Sequence, residues 1–526
     1  MSFPRARPTC SNSGIPIRAH PGNGGPERLG LRVSRTLAGT REAVPSCSRA
    51  VLAATARRLA VRHPGPVDYF ASDGIFWLPD EPNRRIPGTL TFDPDGLELR
   101  LHDSLHAFKV VEGQVTPSPL EWQTVPVVHG RLHVGPDVTL LEASGISMAG
   151  PLTETWLVDF VLSGRHLIDG VFDQALFDFD ALLPWTRPPG IATDGDRPNT
   201  VHADATRVAV VDTVTGAGTR IRLLAGAEGS WDQSRVHLDQ WCQFETTGDP
   251  RPIRDVLNGW VRPLQDLLIV ALGRQVRLTS LLVRPPGAPE RDDPLTVSFA
   301  AVQPAPKALP TEAEIASYDA PTLITRPSSS IPVEDLLAVW YDTRERLRDV
   351  VTLLCGPFYA PFIYDEHRYA STFQAAEALA LKLFTTAEKT PNEHQQRVEA
   401  VAVVLANSEL DEETVKWATA ILRGRNDKPL PALIEELARC TGDIGGRILE
   451  AVPTFPQDVA RARVGVSHGG AKGPDALRRH WLGEVLSWIV RVCLLLEAGL
   501  PLDDLVARTL RKPRFGRAVT ELAKPT

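Results

Sequence analysis

The sequence predicts an α+β chain, with a β-rich N-terminal domain followed by an all-α helical bundle. Hydrophobic alternation of period two runs from about Val67 to Pro304, the pattern of half-buried strands. Six prolines among small polar residues then occupy the stretch from Pro304 to Pro332, the composition of a linker. Beyond Pro332 the period changes to 3.6, that of amphipathic helices. These breaks divide the 526 residues into a tail (1–65), a β-rich domain (66–304), a linker (305–332) and a helical domain (333–526).

The tail holds eleven Arg but only two acids, Glu27 and Glu42, with little periodicity, so it reads as disordered. An Arg-rich, acid-poor leader can mimic a transit peptide or bind RNA electrostatically. An upstream start codon in a high-GC bacterial gene accounts for it more simply, and it is assigned no function. In the β-rich domain, Gly88 to Phe92 and Leu97 to Leu101 alternate on either side of Asp93-Pro94-Asp95-Gly96, a β-hairpin pattern. Further strands are expected at Val125 to Val134, Val138 to Leu141, Thr155 to Leu162, Ala175 to Phe179, Val208 to Val211, Arg220 to Leu224, Val236 to Gln243, Val276 to Val283 and Leu295 to Val302. One helix interrupts them. Ile253, Val256, Leu257, Trp260, Val261, Leu264, Leu267 and Leu268 recur at helical spacing, as in a cover packed on a sheet.

In the helical domain, Leu336, Val339, Trp340 and Leu347 mark a first helix that leads to Gly356-Pro357. Tyr369, Phe373, Ala376, Ala380 and Leu383 mark a second, and Val398, Val401, Val404 and Leu405 a third. Shorter pieces are expected at Glu413 to Leu422 and Leu430 to Ala438, then a helix of about ten residues entering at Phe455-Pro456. Pro474-Asp475 opens the last long helix, which runs through Leu482, Val485, Ile489 and Leu496 until Gly499 and Pro501 stop it.

Hydrophobic residues at 43% and charged residues at 23% are ordinary for a soluble globular protein. A net charge of -7 gives no global nucleic-acid signal. Only nine of the 57 basic residues are Lys, a bias that fits a high-GC genome, so raw arginine counts are discounted. The six cysteines are scattered without close pairs. Neither a disulfide framework nor a zinc knuckle is suggested, and a reducing cytoplasm is the expected home. The most apolar run, Val485 to Leu496, is shorter than a membrane span and is broken by Arg491. No Walker-type phosphate loop and no Gly-x-Ser-x-Gly elbow occurs, which weighs against nucleotide hydrolysis and serine esterase chemistry.

One segment carries chemistry: Arg461-Ala-Arg463-Val-Gly-Val-Ser-His468-Gly-Gly. It joins an always-charged guanidinium to the side chain that titrates near neutrality, a pairing suited to phosphodiester cleavage. On an ideal helix Arg461 and His468 project from nearly the same face. Arg463 reaches the same place only if the helix ends or bends at Gly469-Gly470. In isolation such a pair is usually a solvated helix face. From Arg461 to Arg517, however, eleven basic residues stand against five acids, and Arg461, Lys472, Arg478 and Arg479 could draw in and hold phosphates. Several of these arginines, above all those from Arg508 onward, are expected simply to face water. Glu366-His367-Arg368 precedes the second helix, and Glu377 lies eleven residues after Glu366, three turns further along one face; they could bind a metal, but without a third spaced ligand a solvated helix surface is expected. His102 and His106 follow a strand, and His394 and His480 have no partners in sequence.

The segment from about Tyr364 to Leu510 resembles HEPN domains of the ApeA-like type. Tyr364-Asp-Glu-His-Arg-Tyr369 with Gln374-Ala-Ala-Glu377 is similar to the first helix of that family. Arg463-Val-Gly-Val-Ser-His468 is similar to its R-x4-6-H signature, and Trp481 to Leu500 to its closing helix. The N-terminal part resembles the β-rich domain that precedes HEPN in ApeA-like anti-phage proteins, through Gly74-Ile-Phe-Trp-Leu-Pro79, Pro87 to Phe92, and Gly170-Val-Phe-Asp173 with Phe177-Asp-Phe179 and Leu183-Pro-Trp185. The signature alone is common by chance, and the domain order makes it specific. The sequence departs from the family at Val464, where members usually carry a polar residue, often Asn. Either Arg463 or Arg461 could therefore fill the arginine role; family spacing favours Arg463, with Arg461 as a neighbouring phosphate contact.

The resemblance implies a metal-independent RNA endonuclease of an abortive-infection system, without a cofactor. It implies a homodimer whose two motifs face one composite cleft, and an RNA 2′-hydroxyl that attacks the adjacent phosphate. His468 would be general acid or base and Arg463 the phosphate holder, with Glu366 and Glu377 as polar contributors from the first helix. A phage-derived trigger could act on the N-terminal domain. The alternative in the same fold is an inactive RNA-binding or dimerisation module, which Val464 motivates. A glycan- or peptide-binding β-domain rests only on Trp77, Trp122, Trp185 and Trp231, and such tryptophans are more often core.

Overall fold

The computed structural model describes residues 69–105, 110–111, 114–115, 122–146, 153–187, 191–194, 197–203, 208–231, 236–289, 292–300, 322–360, 363–468 and 474–524. The expected tail, most of the linker, His106, Gly469-Gly470 and Lys472 lie outside the described residues.

The hairpin forms where alternation and turn residues agree. Phe92 pairs with Leu97 and Asp93 with Gly96. Asp93 Oδ1 accepts the N–H of Asp95 at 2.8 Å and of Gly96 at 3.2 Å, and Gly96 takes a φ of 138° that glycine tolerates. Around this hairpin Phe70–Trp77, Ile86–Asp93, Gly96–Leu101, Trp122–Leu132, Asp137–Ile146 and Glu154–Ser163 close into a barrel of six strands. Closure comes from Glu154–Ser163, which pairs with Gly96–Leu101 on one edge and Asp137–Ile146 on the other. No strand edge is left open there.

The end of Glu154–Ser163 also pairs with Leu295–Ser298. Through that strand the sheet continues outside the barrel into Leu278–Arg284, Val171–Phe179, Val236–Pro252, Arg220–Trp231 and Val208–Val214, all antiparallel. Several strands run past the span that alternation marks. Val236–Pro252 exceeds the expected Val236 to Gln243 because its second half carries Thr246 and Thr247 into the ladder opposite Arg220 and Ile221.

The cover helix is built from Ile253–Val256, a π-helical turn Leu257–Val261, and Arg262–Leu272. Every residue from Pro263 to Leu272 is buried, more than a one-sided cover needs. The reason is a second layer, because the helical domain packs on its other face. Trp340 Nε1 donates to Pro263 O at 2.7 Å, Tyr341 OH to Trp260 O at 2.9 Å, and Arg344 Nε to Asp266 Oδ2 at 2.9 Å. At its C-terminus, Gly273 has φ 65°, and Arg491 donates to Val270 O at 2.7 Å and Ala271 O at 3.3 Å. Burial lowers the Arg491 pKa to about 9, which leaves it cationic at neutral pH, the charge that a helix C-terminus favours. One hydrophobic core thus runs from barrel to bundle.

The described end of the expected linker is part of this joint rather than a spacer. Thr322, Leu323, Ile324 and Thr325 are buried, Leu323 N–H donates to Ala271 O at 2.7 Å, and Arg326 Nε donates to Thr186 O at 3.0 Å. The bundle follows as Val333–Arg346, Arg348–Cys355, Asp365–Leu383, Pro391–Ala406, Glu412–Gly424, Leu430–Arg439, Asp443–Ala451, Phe455–His468, Ala476–Glu497, Leu502–Leu510 and Pro513–Leu522. The helix Asp443–Ala451 and the last two were not expected. In Pro513–Leu522 a dense arginine content hides an apolar stripe of Phe515, Ala518, Val519 and Leu522, all buried.

Candidate functional site: the signature helix and its neighbours

The signature segment lies on one helix, Phe455–His468, of 14 residues against the ten expected, and His468 is its final residue. Phe455, Val459 and Ala462 are buried at helical spacing and seat the helix in the bundle. Tyr369 of the helix Asp365–Leu383 donates its hydroxyl to Val459 O at 3.1 Å, which fixes these two helices against each other. Burial pushes the Tyr369 phenol well above its usual pKa, so it stays a donor.

The two candidate arginines meet different partners. Arg463 Nη2 stands 3.7 Å from Glu377 Oε2, with its guanidinium 5.6 Å from the ring centre of Phe373. Arg461 Nη1 pairs with Asp458 at 3.3 Å, one turn back on its own helix. Asp458 is the hub of the site: its Oδ2 also accepts from Thr454 Oγ1 at 3.0 Å and from Arg478 Nη2 at 2.8 Å. Arg478 sends its other nitrogen to Leu522 O at 3.2 Å. Its side chain is only 16% exposed, so its guanidinium, expected at an RNA surface, is taken up inside the bundle. Arg479 donates to Pro474 O at 3.0 Å and reaches Glu366 Oε1 at 3.5 Å, and His480 Nδ1 lies 3.4 Å from Asp365.

Glu366 and Glu377 therefore serve one helix as counter-charges for two arginines on other helices. Among the described residues no group of three His, Cys, Asp or Glu gathers as metal ligands. The local basic excess in sequence is also reduced in space. Arg514 pairs with Glu484 at 2.7 Å, and Arg491 is buried at the domain joint. On the signature helix itself Arg461 and Arg463 keep side chains 67% and 48% exposed. Asp458, Tyr369 and Phe373 were missed as site residues. Asp458 carried a signal, its i, i+3 spacing to Arg461, whereas the Tyr369 contact depends on a pairing of helices that no local pattern reveals. Cys440 and Cys493 are likewise brought to an Sγ–Sγ distance of 3.2 Å from positions that read as unrelated.

A β-barrel domain packed on a helical domain whose signature helix is pinned to a polar first helix defines a HEPN-type two-domain protein. Residues 72–316 match the family model ApeA N-terminal domain 1, and residues 370–504 match Apea-like HEPN. The chain thus belongs to the ApeA-like family, with the domain order that its sequence suggests. No curated protein and no solved structure matches it. An ApeA-like HEPN domain suggests a defence effector that is RNase-like, of a domain class that commonly acts as a dimer and binds RNA. No helix among the described residues is long and apolar enough to cross a membrane.

Proposed function

We propose that this chain is a metal-independent RNA endonuclease of a cytoplasmic anti-phage, abortive-infection system. The observation that carries the reading is the state of Arg463: half-exposed, on the helix that ends in His468, and opposed by the partly exposed Glu377 at 3.7 Å. A pair that open is weak, worth about 0.2–1 kcal/mol, so an incoming phosphate can displace the carboxylate at little cost. In the proposed reaction the RNA 2′-hydroxyl attacks the neighbouring phosphorus and the 5′-oxygen leaves, which restricts the substrate to RNA. His468 transfers the proton and Arg463 balances charge on the phosphorane. Arg461, Arg479 and Lys472 guide the strand, while Arg478 holds Asp458 and through it the helix. A homodimer would bring two such motifs to one cleft, and the barrel domain would receive the trigger.

The same Arg463–Glu377 pair, next to Val464, supports one other reading, an RNA-binding module without catalysis. Incubating purified chain with total RNA in EDTA separates the two. Cleavage to fragments with cyclic phosphate ends, lost in His468→Ala, supports the endonuclease; intact RNA that is nonetheless retained in a gel shift supports the binding module.

A further inference from the structure

The π-helical turn Leu257–Val261 has a second surface beyond the core. With residues on either side of it, the turn lines a cleft of about 770 Å³ between the barrel and the joint, within the size range of small-molecule sites, roughly 300–1,000 Å³. π-Helical turns are frequent at functional sites. Three guanidinium groups line the cleft, those of Arg254, Arg262 and Arg277, against one carboxylate, Asp159. Arg254 is already held by Asp159 and Glu142.

Arg262 and Arg277 have no ion pair among the described residues. Arg262 donates to Gln265 Oε1 at 3.2 Å and rests 4.0 Å from the ring centre of Tyr359, while Arg277 meets Asp180 through its backbone, its N–H donating to Asp180 Oδ1 and its O accepting from Asp180 N–H, both at 3.0 Å. Asn258 and Gln275 present amides to the cleft that form no side-chain hydrogen bond among the described residues. Ring surface comes from the exposed Tyr69 and the half-buried Phe358 and Tyr359, with Phe160 and Phe299 buried behind them. Cations without a direct ion pair, amides without side-chain hydrogen bonds and aromatic surface in one cleft are complementary to a ligand that is anionic at one end and a planar hydrogen-bonding ring at the other.

We propose that this cleft binds a nucleoside phosphate, with the phosphate on Arg262 and Arg277 and the base laid against the aromatic lining, read by Asn258 and Gln275. The site touches the joint, since Tyr359 OH donates to Asp266, the partner of Arg344. A phosphate that draws Arg262 off Tyr359 would therefore bear on the contact between domains.

Calorimetric titration of the full chain with ATP, GTP, CTP and UTP, and with adenosine and inorganic triphosphate as controls, tests this. At least one nucleotide should bind about tenfold or more tighter than either control, and Arg277→Glu and Arg262→Ala should each weaken it by about tenfold or more. Thermal unfolding of each unliganded variant, run beside the titration, separates a loss of binding from a loss of fold. Arg463→Ala should not alter the affinity, because the phosphate site of the signature helix is separate. Absence of binding by all four nucleotides, inorganic triphosphate binding as tightly as they do, or full affinity in a folded Arg277→Glu variant would overturn the proposal.

Discussion

At the joint between the domains, Arg344 and Asp266 pair at 2.9 Å with side chains 13% and 3% exposed; on the signature helix, Arg463 and Glu377 stand 3.7 Å apart at 48% and 28% exposure. Both are arginine–carboxylate pairs, yet they do different work. At the joint, Asp266 is further held by Tyr359 OH, and the neighbouring Arg491 satisfies helix carbonyls. Removing one partner there strands a buried charge. Around Arg463 water competes for both groups, so the pair adds little stability and can open to a phosphate. Charge committed inside the fold is architecture, and charge held loosely at the surface is available for binding.

The largest expected effect is on catalysis. His468→Ala should lower the rate of RNA cleavage by about 10²–10⁴-fold, the usual worth of a general acid–base group. Single-turnover cleavage checks it, on a preparation whose folding is verified by thermal unfolding.

At the joint the expected loss is in stability. Trp340 is fully buried and donates to Pro263 O across the domains, so Trp340→Ala should cost about 3–5 kcal/mol in urea unfolding. Arg461→Ala, by contrast, should cost less than about 0.5 kcal/mol. Equal losses for the two would erase the distinction between the regions.

A pH dependence sharpens it further. Burial pushes the Asp266 carboxyl above its usual range, against the opposing pull of Arg344. From about pH 4 up to that raised value the native state binds more protons than the unfolded one, so this group's contribution to stability falls as pH rises. Asp266→Asn should flatten the melting-temperature profile over that window. The smallest effect is expected from Glu377→Gln on RNA affinity, a tightening of about two- to fivefold on release of Arg463, readable by filter binding.

The division into a β-rich and an all-α part was legible because period two gives way to 3.6 at a proline-rich boundary, and the hairpin at Asp93 to Gly96 because its turn residues and flanking alternation agree. Barrel closure was not legible. It depends on Glu154–Ser163 pairing on both edges, and alternation gives a strand's faces but not its neighbours. The joint was hidden for a related reason: Leu323 and Ile324 are two apolar residues in a proline-rich stretch, too few to show a period. At the site, the signature residues and the two first-helix glutamates were legible. That Glu377 meets Arg463, Glu366 meets Arg479 and Asp458 meets Arg478 was not, since each of these pairings is set by helix packing.

The most direct test sets Arg463→Ala beside Arg461→Ala in single-turnover RNA cleavage, with folding verified by thermal unfolding. Arg463→Ala should lose about 10²-fold or more and Arg461→Ala less than about tenfold, its main effect being a shallower salt dependence of RNA binding. A larger loss for Arg461→Ala, or full activity in Arg463→Ala, would contradict the role assigned to Arg463.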